Sequence, residues 1–103
     1  SAGDVSSHSD RTVKDDLVVI SDPLDKIKTL TGYTYERTDI EMKRQTGLMA
    51  QDVLKILPEA VVGGPTEEDP NALYSVCYGQ MGGLWAEAIN ALDAKIEDIR
   101  KCL

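Results

Sequence analysis

Along the chain, apolar positions fall into short blocks separated by polar runs, and the spacing within each block predicts its structure. The run "LVVI" (17–20) is β-branched and bounded by polar residues, which suits a strand or a buried segment. In "SDPLDKIKTL" the residues Leu24, Ile27 and Leu30 recur every three positions, predicting a helix. Ser21 or Asp22 would cap it, Pro23 would sit in its first turn, and Gly32 would end it in a left-handed conformation. "YTYER" (33–37) alternates and reads as a strand. The charged "TDIEMKRQT" after it is a hairpin tip or loop, with "GLMA" (47–50) as the returning strand. A helix over 50–57 places Val53, Leu54 and Leu57 on one face and stops at Pro58. "AVV" (60–62) is a short strand, "GGPTEEDPN" a loop, and "ALYSVCY" (72–78) a further alternating strand.

From Gln80 onward the period changes. Trp85, Ile89, Leu92, Ile96, Ile99 and Leu103 step by 4, 3, 4, 3 and 4, a heptad seam with Ile89, Ile96 and Leu103 at a and Trp85, Leu92 and Ile99 at d. Two readings fit so short a seam. It is either one face of a helix packed on its own domain or a self-associating helix. Lys95 at g and Arg100 at e would oppose one another in parallel strands, which counts mildly against a plain parallel zipper.

Composition narrows the choice. A chain of 103 residues makes one small domain. With no Phe, one Trp and four Tyr its core must be mainly aliphatic and thin. Small cores of that kind lean on disulfides, metals or oligomerisation. Cys77 and Cys102 are too few and too far apart for a zinc site or a disulfide framework, and one histidine, His8, excludes a histidine-rich metal site. Oligomerisation is left. The net charge of −7 argues against nucleic acid as a partner. No apolar run is long enough to span a membrane, and no signal peptide is seen.

One polar stretch carries possible chemistry. "HSDRTVKDDL" (8–17) holds Ser9 and Lys14 five positions apart. A serine hydroxyl becomes a nucleophile when a base takes its proton. Lysine is such a base only when its pKa falls well below the usual ~10.4, through desolvation or a nearby positive charge. His8 adjoins Ser9 but points the other way in an extended chain. In a strand Ser9 and Lys14 would lie about 16 Å apart at ~3.3 Å per residue, so they meet only if the chain turns. Asp10 and Thr12 favour such a turn through side-chain to backbone bonds. By spacing alone, a capped turn followed by an exposed lysine explains the same residues.

Four blocks, in order, change that balance: "SDRTVKDDL", "LDKIKTLTGYTYER", "TGLMAQDVLKILPEAV" and "YSVCYGQMGGLWAEAINALDAKIEDI". From Ser9 onward the chain resembles the endosialidase-type intramolecular chaperone auto-processing domain, found in phage tailspikes and tail fibres and in the myelin regulatory factor. The third block is the most specific. The resemblance implies an α+β fold of short strands and helices ending in a long C-terminal helix that packs as a trimeric coiled coil. It implies residues 1–8 as the end of a preceding fibre or cargo segment, 9–103 as the chaperone domain and 80–103 as its trimerisation helix.

Such domains trimerise, assist folding of a preceding β-rich fibre, and cut themselves free. The resemblance therefore implies a self-cleaving serine endopeptidase with a Ser9–Lys14 dyad acting once in cis. Asp10 matches the aspartate after the nucleophile. Two departures are Thr12, where arginine is frequent, and Asp16-Leu17, where Asn-Ile is usual. The scissile bond is His8–Ser9, with Ser9–Asp10 as the alternative. No cofactor or metal is implied, and the partners are two further copies and the preceding fibre. The expected setting is a virion fibre precursor processed in the host cytoplasm. Two other readings remain: a trimerisation cap that is never cleaved, and a general Ser–Lys hydrolase.

Overall fold

The computed structural model describes residues 6–103, so the first five residues of the expected cargo segment lie outside the described residues. The fold is α+β. A one-turn 3-10 helix, Arg11–Val13, comes first, then α1 (Pro23–Lys28), β1 (Tyr33–Tyr35) and β2 (Gln45–Gly47). These are followed by α2 (Ala50–Ile56), β3 (Val61–Gly63), β4 (Tyr74–Val76) and α3 (Gly82–Lys101). Short 3-10 turns, Pro58–Ala60 and Tyr78–Met81, precede β3 and α3. β1 pairs antiparallel with β2, Thr34 opposite Thr46; β3 pairs antiparallel with β4, Val62 opposite Ser75.

The core is thin, as the composition requires. Val53, Leu57, Ala60, Met81 and Leu84 form it, with Ile20, Ile27, Leu30 and Ile56 packed partly buried around them. In α2 the inward residues Val53, Ile56, Leu57 and Ala60 step by 3, 1 and 3, so one face of the helix and the turn after it meet the start of α3. Leu54 lies a quarter-turn away at 37% exposure, outside the face assigned to it from the sequence. The β3–β4 connection reverses through Gly63 and Gly64, at φ 78° and 98°. A Cβ on Gly63 would lie 2.6 Å from the Leu73 carbonyl oxygen, so glycine is required there.

Several expectations are corrected. Residues 17–20 form neither a strand nor a buried segment. Leu17, Val18 and Val19 are exposed and only Ile20 reaches the core, because among the described residues no strand lies alongside to pair them. Asp22 occupies the N-cap position of α1 but is left-handed (φ 49°) and makes no side-chain cap bond. The helix ends at Thr29, whose amide donates to the Lys26 carbonyl, and Gly32 keeps an ordinary φ. The returning strand is Gln45–Gly47 rather than 47–50, since Met49 already begins α2 by accepting from the Asp52 and Val53 amides. β4 covers three of the seven residues expected.

The position of α3 shows which of its faces packs on the body. Met81, Leu84 and Ala88 are buried against the body, and Ala91 is half-buried. The seam lies one residue round from them. Trp85 is 38% exposed, Ile89 66%, Leu92 50%, Ile96 48%, Ile99 62% and Leu103 fully exposed. From Leu92 onward every residue is exposed, so the helix leaves the body and carries its apolar stripe into solvent. The stripe is not the domain's own packing face.

Candidate functional site

Ser9 and Lys14 flank the first turn. Asp10 is extended (φ −69°, ψ 140°) and its carboxylate accepts from both the amide and the hydroxyl of Thr12, each at 2.8 Å. That is an N-cap bond, and it fixes where the turn begins. The Val13 amide donates to the Asp10 carbonyl and the Lys14 amide to the Arg11 carbonyl, both at 3.2 Å. One turn of 3-10 helix thus replaces the extended path. Lys14 Nζ comes to 2.6 Å from Ser9 Oγ.

The turn expected from Asp10 and Thr12 is therefore present, and Thr12 contributes a second bond through its hydroxyl. Those two bonds, the backbone one first, hold the Asp10 carboxyl below the ordinary carboxylate range. The arrangement can do specific chemistry. A neutral lysine amine at this distance is placed to take the serine proton, and the resulting ammonium is placed to return it to a leaving amine. Ser9, Asp10 and Lys14 are all exposed, as is His8. The pair is assembled by local structure but is not desolvated within one copy.

No group of three or more potential metal-ligating His, Cys, Asp or Glu side chains occurs among the described residues. No helix there is long and apolar enough to cross a membrane. Sequence reasoning missed an open groove of about 580 Å³ between the two sheets. Tyr35, Leu48, Met49, Leu73, Tyr74 and Val76 line it, and no residue of the 8–14 segment does. Its signal was the alternation in "YTYER" and "ALYSVCY", which shows that each strand has an apolar side but not that the sides converge.

Comparison with known proteins identifies the family. A family model described as chaperone of endosialidase matches residues 9–62, beginning at the serine that Lys14 contacts and covering more than half of the chain. The chain belongs to the chaperone-of-endosialidase family. The model's own name places the family among the peptidases. Curated relatives include the long tail fiber protein Gp37 of Escherichia phage AR1, 37% identical over 84% of this chain and 8% of that protein. Another is the long tail fiber protein Gp37 of Salmonella phage S16, 30% identical over 97% of this chain and 14% of that protein. The chaperone-of-endosialidase domain thus spans a small fraction of the relatives' length. The family match ends at Val62, whereas the similarity to the phage S16 protein extends over nearly the whole chain.

Proposed function

We propose that this domain is an intramolecular chaperone for a phage tail fibre, which holds three chains in register and then releases itself by cleavage at Ser9. The observation that carries the catalytic part is the 2.6 Å contact between Lys14 Nζ and Ser9 Oγ. The chaperone part is supported by family membership, the fibre relatives and the exposed seam on α3. Alignment of three chains reduces the entropic cost of starting a non-local β structure. Removing the aligning domain afterwards leaves the fibre kinetically trapped in its folded form.

Neutral Lys14 takes the Ser9 Oγ proton while Oγ adds to the His8 carbonyl carbon. The tetrahedral intermediate collapses with loss of the His8–Ser9 C–N bond, and the lysine ammonium gives its proton to the departing Ser9 amine. An ester joins the His8 carbonyl to Ser9 Oγ. Water hydrolyses it, leaving a carboxylate at His8 and a free serine at the start of the released domain. Neighbouring copies would cover the exposed pair and exclude water from it, so assembly precedes the cut.

A cap that is never cleaved is the second reading, favoured by the exposure of the pair in one copy. Mass spectrometry of a longer fibre polypeptide ending at Leu103 separates them. A released fragment beginning at Ser9, lost in Ser9→Ala without loss of trimer, supports cleavage. An intact wild-type chain supports the cap. If Ser9→Ala failed to trimerise, the proposed order of assembly before cleavage would be wrong.

A further inference from the structure

The three exposed apolar residues Leu17, Val18 and Val19, at 68%, 82% and 75% exposure, form part of a ribbon running to Ile20. Among the described residues, 17–20 make no main-chain hydrogen bond. Asp16 and Asp22, left-handed at φ 51° and 49°, kink the chain on either side and set the ribbon apart from the catalytic turn and from α1. Ile20 anchors it, packing into the core beside Gly83. An extended apolar segment with unused main-chain groups is suited to strand addition.

The groove between the sheets is its counterpart. Each sheet has two strands among the described residues, so β1 and β4 each keep one unpaired edge, and residues of both line the groove. The walls are mainly aromatic and aliphatic, with Glu36, Arg37, Gln51 and Ser75 among them. A copy does not fill its own groove, because its ribbon lies by Ile56–Glu59 at one end of α2 and the groove by Met49–Gln51 at the other. The seven residues of α2 separate them by about 10 Å at ~1.5 Å per residue.

We propose that the Leu17–Ile20 ribbon of one copy adds as a strand into the β1–β4 groove of a second copy. The contact is heterologous, ribbon to groove, and repeated around a three-fold axis it closes into a ring. It would also add buried area to the contact made by α3. The α3 seam runs for fewer than three heptads, whereas stable interfaces bury about 1,200 Å² or more. The inference rests on the trimer reading above and adds to it the surface through which copies meet outside α3.

Disulfide trapping tests it. With Cys77 and Cys102 changed to serine, the double variant Val18→Cys, Leu73→Cys is oxidised and run on a denaturing gel. Both positions are exposed, so the fold is expected to survive, which circular dichroism checks. A covalent trimer in the double variant, absent in either single variant, is the expected result. A Val18→Cys single variant that crosslinks to itself would mean that ribbons meet ribbons and would overturn the proposal. Light scattering of the unoxidised protein separates the two levels. A trimer that gives no ribbon-to-groove crosslink sinks this inference alone, and a monomer sinks the trimer reading with it.

Discussion

The Tyr78 hydroxyl accepts a hydrogen bond from the Leu48 amide at 2.9 Å, joining residues thirty positions apart. The bond ties the turn that launches α3 to the end of β2, and so links the first hairpin to the helix. Gly47 permits the approach, since a Cβ there would run into the Tyr78 hydroxyl. Tyr78→Phe removes the acceptor and leaves the ring. The expected loss is about 1 kcal/mol, the usual net value of one hydrogen bond, read as a lower urea midpoint at unchanged slope.

Lys14→Arg tests the general base. Arginine keeps the charge and much of the reach but stays protonated, so cleavage of a fibre polypeptide should fall nearly as far as in Ser9→Ala. Cleavage by Lys14→Arg at the wild-type rate, followed by gel densitometry, would remove lysine from the mechanism.

Asp10 gives the turn its own pH dependence. Its carboxyl is held below the ordinary range by the two Thr12 bonds, so the ionised form is favoured in the folded turn. The stabilisation is therefore present above the unfolded value of ~3.9 and is lost as pH falls through the lowered folded value. NMR titration should show the Asp10 carboxyl and the Thr12 amide moving together, with a midpoint below ~3.9. Asp10→Asn should abolish that transition while keeping an acceptor for the cap, and Asp10→Ala, which removes the acceptor, should slow cleavage at neutral pH. A midpoint at or above the free value would mean that the cap is not formed in solution.

Ile96→Asp probes the seam. Ile96 lies beyond the part of α3 that packs on the body, so the monomer fold should be unaffected. Each copy would place a carboxylate in the shared apolar stripe, at a cost that an assembly with so short a seam cannot absorb. Light scattering at tens of micromolar should show monomer for Ile96→Asp and trimer for the wild type. Equal masses for the two proteins would place the copy–copy contact somewhere other than this face.

Local signals were strong enough to read without a structure. A hairpin opening at Tyr33, helix 50–57 and the long last helix each follow from periodicity within one segment, although the returning strand, expected at 47–50, runs over Gln45–Gly47. So does the turn that Asp10 and Thr12 make, because a short side chain bonding two residues along requires nothing from the rest of the chain. The 2.6 Å approach of Lys14 to Ser9 follows from that turn. Residues 17–20 read as buried because β-branched runs usually have a sheet beside them. Whether a neighbour strand arrives is a non-local fact, and among the described residues none does.

The same distinction settles α3. A repeat of 4, 3, 4, 3 and 4 states that one face is apolar but not what covers it. Only the packed structure shows Met81, Leu84 and Ala88 taking the intramolecular contact, which leaves the heptad face a residue away in solvent. The groove between β1 and β4 was hidden for the same reason, since its walls come from segments about forty residues apart that meet only when α2 is packed between them. Sequence determines elements whose energies are local, here the turn, the hairpin and the helices. Tertiary structure decides which apolar face is satisfied within the chain and which is left exposed, because burial depends on what the rest of the chain brings alongside.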